Sequence, residues 1–228
     1  MKKIKVSKNG PYVIEDSVAL YEERVISDKN NDPIEWQKTK KYPPKKKYLL
    51  CRCGKSNNKP YCDNSHLQSD FDGTESKTAR KKYAELEEVT SGPINNLHDA
   101  AELCAGVGFC YRKGGTWALI KKDSQELVEI AVEQCCNCPS GRLVAEDHER
   151  GVIEPEFKQE ISVIQETDRG VSGPLWVKGG VEIESADGEK YEKRNRVTLC
   201  RCGKSNNKPF CDGMHHFAKF NDGSIDKH

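Results

Sequence analysis

Two stretches of this chain carry nearly the same cysteine-rich text. Leu50-Cys51-Arg52-Cys53-Gly54-Lys55-Ser56-Asn57-Asn58-Lys59-Pro60-Tyr61-Cys62-Asp63 returns as Leu199-Cys200-Arg201-Cys202-Gly203-Lys204-Ser205-Asn206-Asn207-Lys208-Pro209-Phe210-Cys211-Asp212, with Tyr61 to Phe210 the one change. His66 follows Cys62 by four residues and His215 follows Cys211 by four, so each copy offers three thiolates and one imidazole. Thiolate and imidazole together are a ligand set for zinc or iron. A Cys-x-Cys pair can hold one metal atom from a tight loop, here shaped by Gly203 and Pro209. Asp212 sits at an expected helix start, where a carboxylate accepts backbone N–H groups and the next turn carries His215 back over the metal. Structural zinc is the plain alternative, although its usual signatures pair Cys-x₂₋₄-Cys knuckles.

The order C-x-C-x₂-S-x₃-P-x-C-D-G-x-H in the second copy resembles the CDGSH iron–sulfur family, the mitoNEET-like proteins. The resemblance implies a dimeric fold with small β structure and a [2Fe–2S] cluster held by three cysteines and one exposed histidine. Its ligands here would be Cys51, Cys53, Cys62 and His66 in the first copy, and Cys200, Cys202, Cys211 and His215 in the second. Both copies depart from the family word: Asn64 stands in place of Gly, and Met214 in place of Ser. Asn tolerates positive φ best after Gly, so the backbone path is expected to survive. Met214 removes a hydroxyl near the cluster, which can shift its potential. One imidazole in place of a thiolate makes such a cluster easier to reduce, lets it couple to pH, and is its weakest ligand.

A third constellation lies between the copies: Cys104 and Cys110, then Cys135-Cys136-Asn137-Cys138-Pro139-Ser140-Gly141-Arg142-Leu143. Cys followed by Pro ends bacterial ferredoxin motifs. The tract resembles the divergent single-cluster ferredoxin-like domain fused to CDGSH motifs in some microbial proteins. That resemblance implies Cys104, Cys110 and Cys138 as ligands of a [4Fe–4S] or [3Fe–4S] cluster. The fourth ligand stays open between Cys135 and Cys136; inert buried thiols or a redox disulfide are the alternative. His98, His148, His216 and His228 are read as ordinary residues.

Short strands must present the loops: Lys3–Ser7, Pro11–Glu15 and Val18–Ile26, then Glu160–Gln165, Leu175–Lys178, Val181–Glu184 and Arg196–Leu199, chosen for β-branched and aromatic content. Between the copies the period turns helical, with Leu97, Ala100, Ala101 and Cys104 on one face and Leu127, Ile130, Ala131 and Gln134 on another. Ser124 is a candidate N-cap. The expected fold is α+β: CDGSH-type units at residues 1–82 and 157–228, packed as an intramolecular pseudo-dimer, around a helical ferredoxin-like insert at 83–156. Each unit alone has too little apolar sequence for a core.

Composition sets the limits. Apolar residues make up 35% and mean hydropathy is −0.81, so ligation must help hold the fold together. Lys and Arg number 37 against 36 for Asp and Glu, which points to neither nucleic acid nor membrane. No secretory h-region and no long apolar run is visible, so a cytoplasmic location is expected, where 11 cysteines read as ligands rather than disulfides. The basic run Lys38–Lys47 reads as a solvated loop, with a docking patch for an acidic redox partner as the alternative. No phosphate loop or paired-carboxylate motif stands out, so an enzyme is not expected. The expectation is a monomeric one-electron carrier serving redox partner proteins. A cluster donor to apo-acceptors, a redox or pH sensor, and a zinc-stabilised interaction module are the other readings.

Overall fold

Alternating apolar residues organise the ends of the chain. In the computed structural model, which describes residues 2–225, β1 (Lys3–Val6) turns Ile4 and Val6 inward, and β2 (Tyr12–Glu15) turns Tyr12 and Ile14 inward. The long hairpin β3 (Ala19–Ser27) and β4 (Pro33–Lys41) follows, then β5 (Tyr48–Leu50), which ends at Cys51. Later come β10 (Glu160–Glu166), β11 (Val171–Lys178), β12 (Glu182–Glu184) and β13 (Arg196–Leu199), which ends at Cys200.

These strands form two sheets, each containing a strand from the other end of the chain. One runs β12-β1-β2-β5 and the other β13-β11-β10-β3-β4. The third strand of each half crosses over: β12 lies parallel to β1, with Ile4 opposite Ile183, and β3 lies parallel to β10, with Leu20 opposite Ile161. The antiparallel pairs β1–β2 and β2–β5 match β10–β11 and β11–β13, whereas β4, antiparallel to β3, has no counterpart strand among the described residues of the second half. One apolar core results. Of its twenty buried residues, ten lie between Ile4 and Ala79 and ten between Ile161 and Phe210, so neither half closes it alone. Burial of each large side chain contributes roughly 1.5–3 kcal/mol.

The stretch between the copies differs from the helical reading. It holds a third sheet, β6 (Glu88–Ser91), β7 (Asn95–Asp99), β8 (Leu143–Asp147) and β9 (Gly151–Ile153), with α1 (Thr116–Leu119) and α2 (Gln125–Asn137). The expected helix through Leu97 and Cys104 is strand β7, hydrogen-bonded on both sides by β6 and β8, followed by a 3₁₀ turn at Ala101–Leu103. Leu97 is fully buried between half-buried Asn96 and His98, a period of two that four helix-spaced residues concealed. The second helix is α2. Its most buried residues are Val128, Ala131, Gln134 and Cys135, and Ser124 is its N-cap residue without a side-chain cap bond.

Lys38–Lys41, read as loop, are strand β4. Lysines along an edge strand discourage pairing with another chain. Trp36 on the same strand packs against Phe109 and Trp176, ring centroids 5.0 and 4.8 Å away, and donates Nε1–H to the Asn137 carbonyl at 3.0 Å. Among the described residues no helix is long and apolar enough to cross a membrane.

Candidate metal centres

The two terminal loops are built alike. Cys51 N–H donates to the Pro60 carbonyl and Cys200 N–H to that of Pro209, both at 2.8 Å, while Cys62 and Cys211 return to Leu49 and Thr198 at 3.0 and 2.9 Å. Ser56 and Ser205 each donate across the loop, to the carbonyls of Tyr61 (2.6 Å) and Phe210 (2.7 Å). Asp63 accepts backbone N–H bonds from Asn57 and Ser65, and Asp212 from Asn206 and Met214, which starts the turn that carries the histidine. α3 (Met214–Phe217) is that turn in the second copy, and Ser65–Gln68 in the first. Asn64 takes φ 70° where Gly213 takes 82°, so the backbone path is the same. The Ser65 hydroxyl donates to Asp63 at 2.6 Å, so Met214 costs a loop bond.

In each loop the ligand atoms converge as two pairs. Cys51 and Cys53 sulfurs lie 3.8 Å apart, and Cys62 Sγ lies 3.5 Å from His66 Nδ1; the second copy repeats this at 3.7 and 3.4 Å. A single tetrahedral zinc, with Zn–S bonds of about 2.3 Å, would draw all four ligand atoms within about 3.8 Å of one another. Here no third sulfur or nitrogen of either loop joins a pair within 4.8 Å; among the described residues only Glu166, His215 and His216 form such a threefold group. Two pairs side by side suit two adjacent metal ions. The hydrogen bond between the paired sulfurs lowers the Cys51 and Cys200 thiols and pushes Cys53 and Cys202 up. Burial raises Cys62 and Cys211. A bound cation removes those protons.

The two loops meet. A Cβ on Gly54 would lie 2.6 Å from the Cys202 carbonyl oxygen, and a Cβ on Gly203 would lie 2.5 Å from that of Cys53, both at positive φ. Only glycine permits this mutual approach. Tyr12, fully buried, directs its hydroxyl at the second loop, 2.7 Å from the Cys200 carbonyl and 3.0 Å from that of Pro209. Burial holds this phenol well above its ordinary range.

The copies differ at the histidine. His66 is half-buried, whereas His215 is 1% exposed, against the expectation that such histidines face solvent. Its Nε2 meets Glu166 Oε1 at 3.0 Å. His216, read as ordinary, stands with Nε2 3.5 Å from Glu166 Oε2. Glu166 lies 49 residues from His215 and gives no sequence signal beyond its place at the end of an apolar strand. His228 lies outside the described residues; His98 bridges Glu87 and Glu146, and exposed His148 contacts Asn96.

The middle group gathers at the junction of α2 with the third sheet. Cys104, Cys110 and Cys138 line one cleft with Pro139 and Arg142. Arg142 donates to Asp99 at 2.6 and 2.9 Å and lines the same cleft, so a cation flanks these thiols. Cys135 is fully buried in the helix–sheet core beside Cys110 and Cys138, whereas Cys136 is half-buried, toward Arg196 and Glu133. Burial raises Cys110 to about 12 and raises Cys135 and Cys136 as well. All eleven cysteines are free thiols.

The middle group abuts the second loop. Ala105, Val107 and Phe109 pack with Cys211, and Gly106 approaches Gly213, a Cβ on Gly106 falling 3.7 Å from its Cα. Arg196, from the strand that delivers Cys200, donates to the carbonyls of Cys138 (2.8 Å), Cys135 (2.9 Å) and Leu143 (3.2 Å), and pairs with Glu154. The chain therefore orders its three cysteine groups as first loop, second loop, middle group.

Comparison with protein-family models matches the iron-binding zinc finger of CDGSH type twice, at residues 9–67 and 172–216, ranges that contain Cys51 to His66 and Cys200 to His215. No curated protein and no solved structure matches the chain.

Proposed function

We propose that this chain, which carries two iron-binding domains of CDGSH type, is an iron–sulfur protein that acts as a one-electron carrier with three centres. The observation that carries the proposal is contiguity: the first loop touches the second at Gly54 and Gly203, and the second touches the middle group at Gly213 and Gly106. A relay needs centres in sequence.

Each terminal loop would hold a [2Fe–2S] cluster, Cys51 and Cys53 on one iron with Cys62 and His66 on the other, and Cys200 and Cys202 with Cys211 and His215 likewise. The two-pair geometry supports this over zinc. Cys104, Cys110, Cys138 and Cys135 would hold a [4Fe–4S] cluster; the burial of Cys135 beside Cys110 and Cys138 favours it over Cys136 as the fourth ligand. When bound, these clusters supply one-electron redox chemistry. The polypeptide supplies position. Tyr12 and Arg196 tie the second loop to the shared core and to the middle loop, and buried Arg52 and Arg201 bind the carbonyls of Gly73 and Gly173 at 2.7 Å behind the two Cys-x-Cys turns.

The reciprocal exchange of β3 and β12 supports reading residues 1–82 and 157–228 as an intramolecular pseudo-dimer, with 83–156 as a ferredoxin-like insert that carries the middle centre. The protein would act as a non-enzymatic carrier between redox partner proteins. Anaerobic purification with iron, sulfide and zinc analysis, followed by an electrochemical titration, tests the reading. Iron with acid-labile sulfide, visible absorption and reversible one-electron steps are expected. Colourless zinc protein, or iron lost on the first reduction, would overturn it.

A further inference from the structure

The two histidine-bearing sites share their ligands and differ in what stands behind the histidine. In both, Nδ1 faces the fourth cysteine, at 3.5 Å in the first and 3.4 Å in the second. The opposite nitrogen of His215 faces the Glu166 carboxylate at 3.0 Å, and both side chains are 2% exposed, so no bulk water competes for that bond. Glu166 is itself held: Arg169 Nη1 lies 3.3 Å from Oε2 and also donates to the Gly106 carbonyl at 2.9 Å. His216 stacks on His215 with ring centroids 4.2 Å apart and closes the other side. His66 is half-buried and, among the described residues, no carboxylate is hydrogen-bonded to it.

The cause is the length of one hairpin. Gly10-Pro11-Tyr12 corresponds to Gly173-Pro174-Leu175, and Val6 opposite Tyr12 corresponds to Val163 opposite Leu175. The first hairpin ends its pairing there. The second continues through an irregularity after Val163 to Glu166 opposite Val171, three residues further, and then turns at Thr167–Arg169. That extension delivers the carboxylate to the histidine. In the first copy, Gly10 is what stands near the ring, its Cβ position 3.7 Å from His66 Nε2.

We propose that Glu166 is a positioning residue that makes the second cysteine–histidine site the retained centre of the pair, leaving the first, at His66, as the site that exchanges with partners. The proposal rests on the iron–sulfur reading above. A carboxylate that accepts the outer N–H of a ligating histidine fixes its tautomer and ring orientation and raises its basicity as a ligand; removing such a partner typically costs 10–100-fold in metal affinity. The first site, its histidine half-buried and unclasped, releases its cluster more readily and is the more open to an acceptor. The second, clasped and lying between the other two groups, passes electrons without leaving.

The test uses the anaerobically loaded full chain, challenged with an iron chelator and followed by paramagnetic resonance of the reduced protein. Two loss phases are expected for the histidine-ligated centres, and Cys62→Ser should abolish the fast one. Glu166→Ala should accelerate the slow phase about 10–100-fold. Glu166→Gln, whose amide oxygen still accepts the N–H, should keep the slow rate and raise the midpoint potential of that centre, because a hydrogen bond survives while a negative charge is lost. A single loss phase in the parent protein, an unchanged slow phase in Glu166→Ala, or an unchanged potential in Glu166→Gln would overturn the proposal and leave the iron–sulfur reading intact. Absence of iron–sulfur signals from the parent protein would instead overturn that reading. Should Glu166→Ala fail to load, the potential of Glu166→Gln decides.

Discussion

Substituting alanine for Gly54 probes the point where the two cysteine loops meet. Two penalties add. Gly54 has φ +75°, and placing a Cβ there costs about 1–2 kcal/mol for the left-handed backbone. The new Cβ would also sit 2.6 Å from the Cys202 carbonyl oxygen and 2.9 Å from its carbon, backbone atoms that cannot rotate away. Overpacking of this kind costs a further ~1–3 kcal/mol. The sum is about 2–5 kcal/mol, or very roughly 4–20 °C in Tm for a chain of this size. Gly188→Ala is the control: it too has positive φ, +89°, but nothing lies within 4 Å of its Cβ position, so only the backbone penalty applies. Urea unfolding followed by visible absorption and circular dichroism would measure both. Gly203→Ala should behave like Gly54→Ala, since its Cβ meets the Cys53 carbonyl at 2.5 Å. Once either substitution has forced the loops apart, the other should cost less, so the double variant should fall short of the sum. If Gly54→Ala is no worse than Gly188→Ala, or if the two loop glycines add fully, the loops do not touch and the relay order loses its first step.

Tyr12→Phe should destabilise by about 1–3 kcal/mol, because the buried Cys200 carbonyl loses its 2.7 Å partner; an unchanged urea midpoint would refute this. Asp222 and Arg201 form a buried pair at 2.5 Å; burial pushes the Asp222 carboxyl up, but Arg201 outweighs it and holds the group below the usual carboxylate range. Its contribution is therefore full above the unfolded value of about 3.9 and is lost as pH falls through the lower folded value. Asp222→Asn should cost about 3–5 kcal/mol near neutrality, and its stability should converge with that of the parent protein in acid; parallel curves would refute the pairing. Cys135→Ser should remove the iron of the middle centre while Cys136→Ser retains it, read by metal analysis; the reverse outcome would move the fourth ligand to Cys136.

Much of the site was legible because its chemistry is local. Cys-x-Cys, Asp212 and the turn to His215 lie within one loop, so their spacing alone predicts how the sulfurs pair and where the carboxylate bonds. Asn64 at φ 70° follows from the same local reasoning. Strand β7 did not, because Leu97, Ala100, Ala101 and Cys104 imitate a helical face when two strands that sandwich Asn95–Asp99 are out of view. Strand β4 was missed because its lysines resemble a loop.

Residue type and spacing specify the repeat, the cysteine and histidine sets of both terminal loops, and strands of period two to carry them. Which strands pair is set by packing, because a buried strand of period two states that it needs neighbours and never which ones. The exchange of β3 and β12, the meeting of Gly54 with Gly203, and the carboxylate of Glu166 behind His215 are contacts across 49 to 179 residues. They arise because one apolar core takes residues from both halves, and closing it fixes every loop that hangs from its strands.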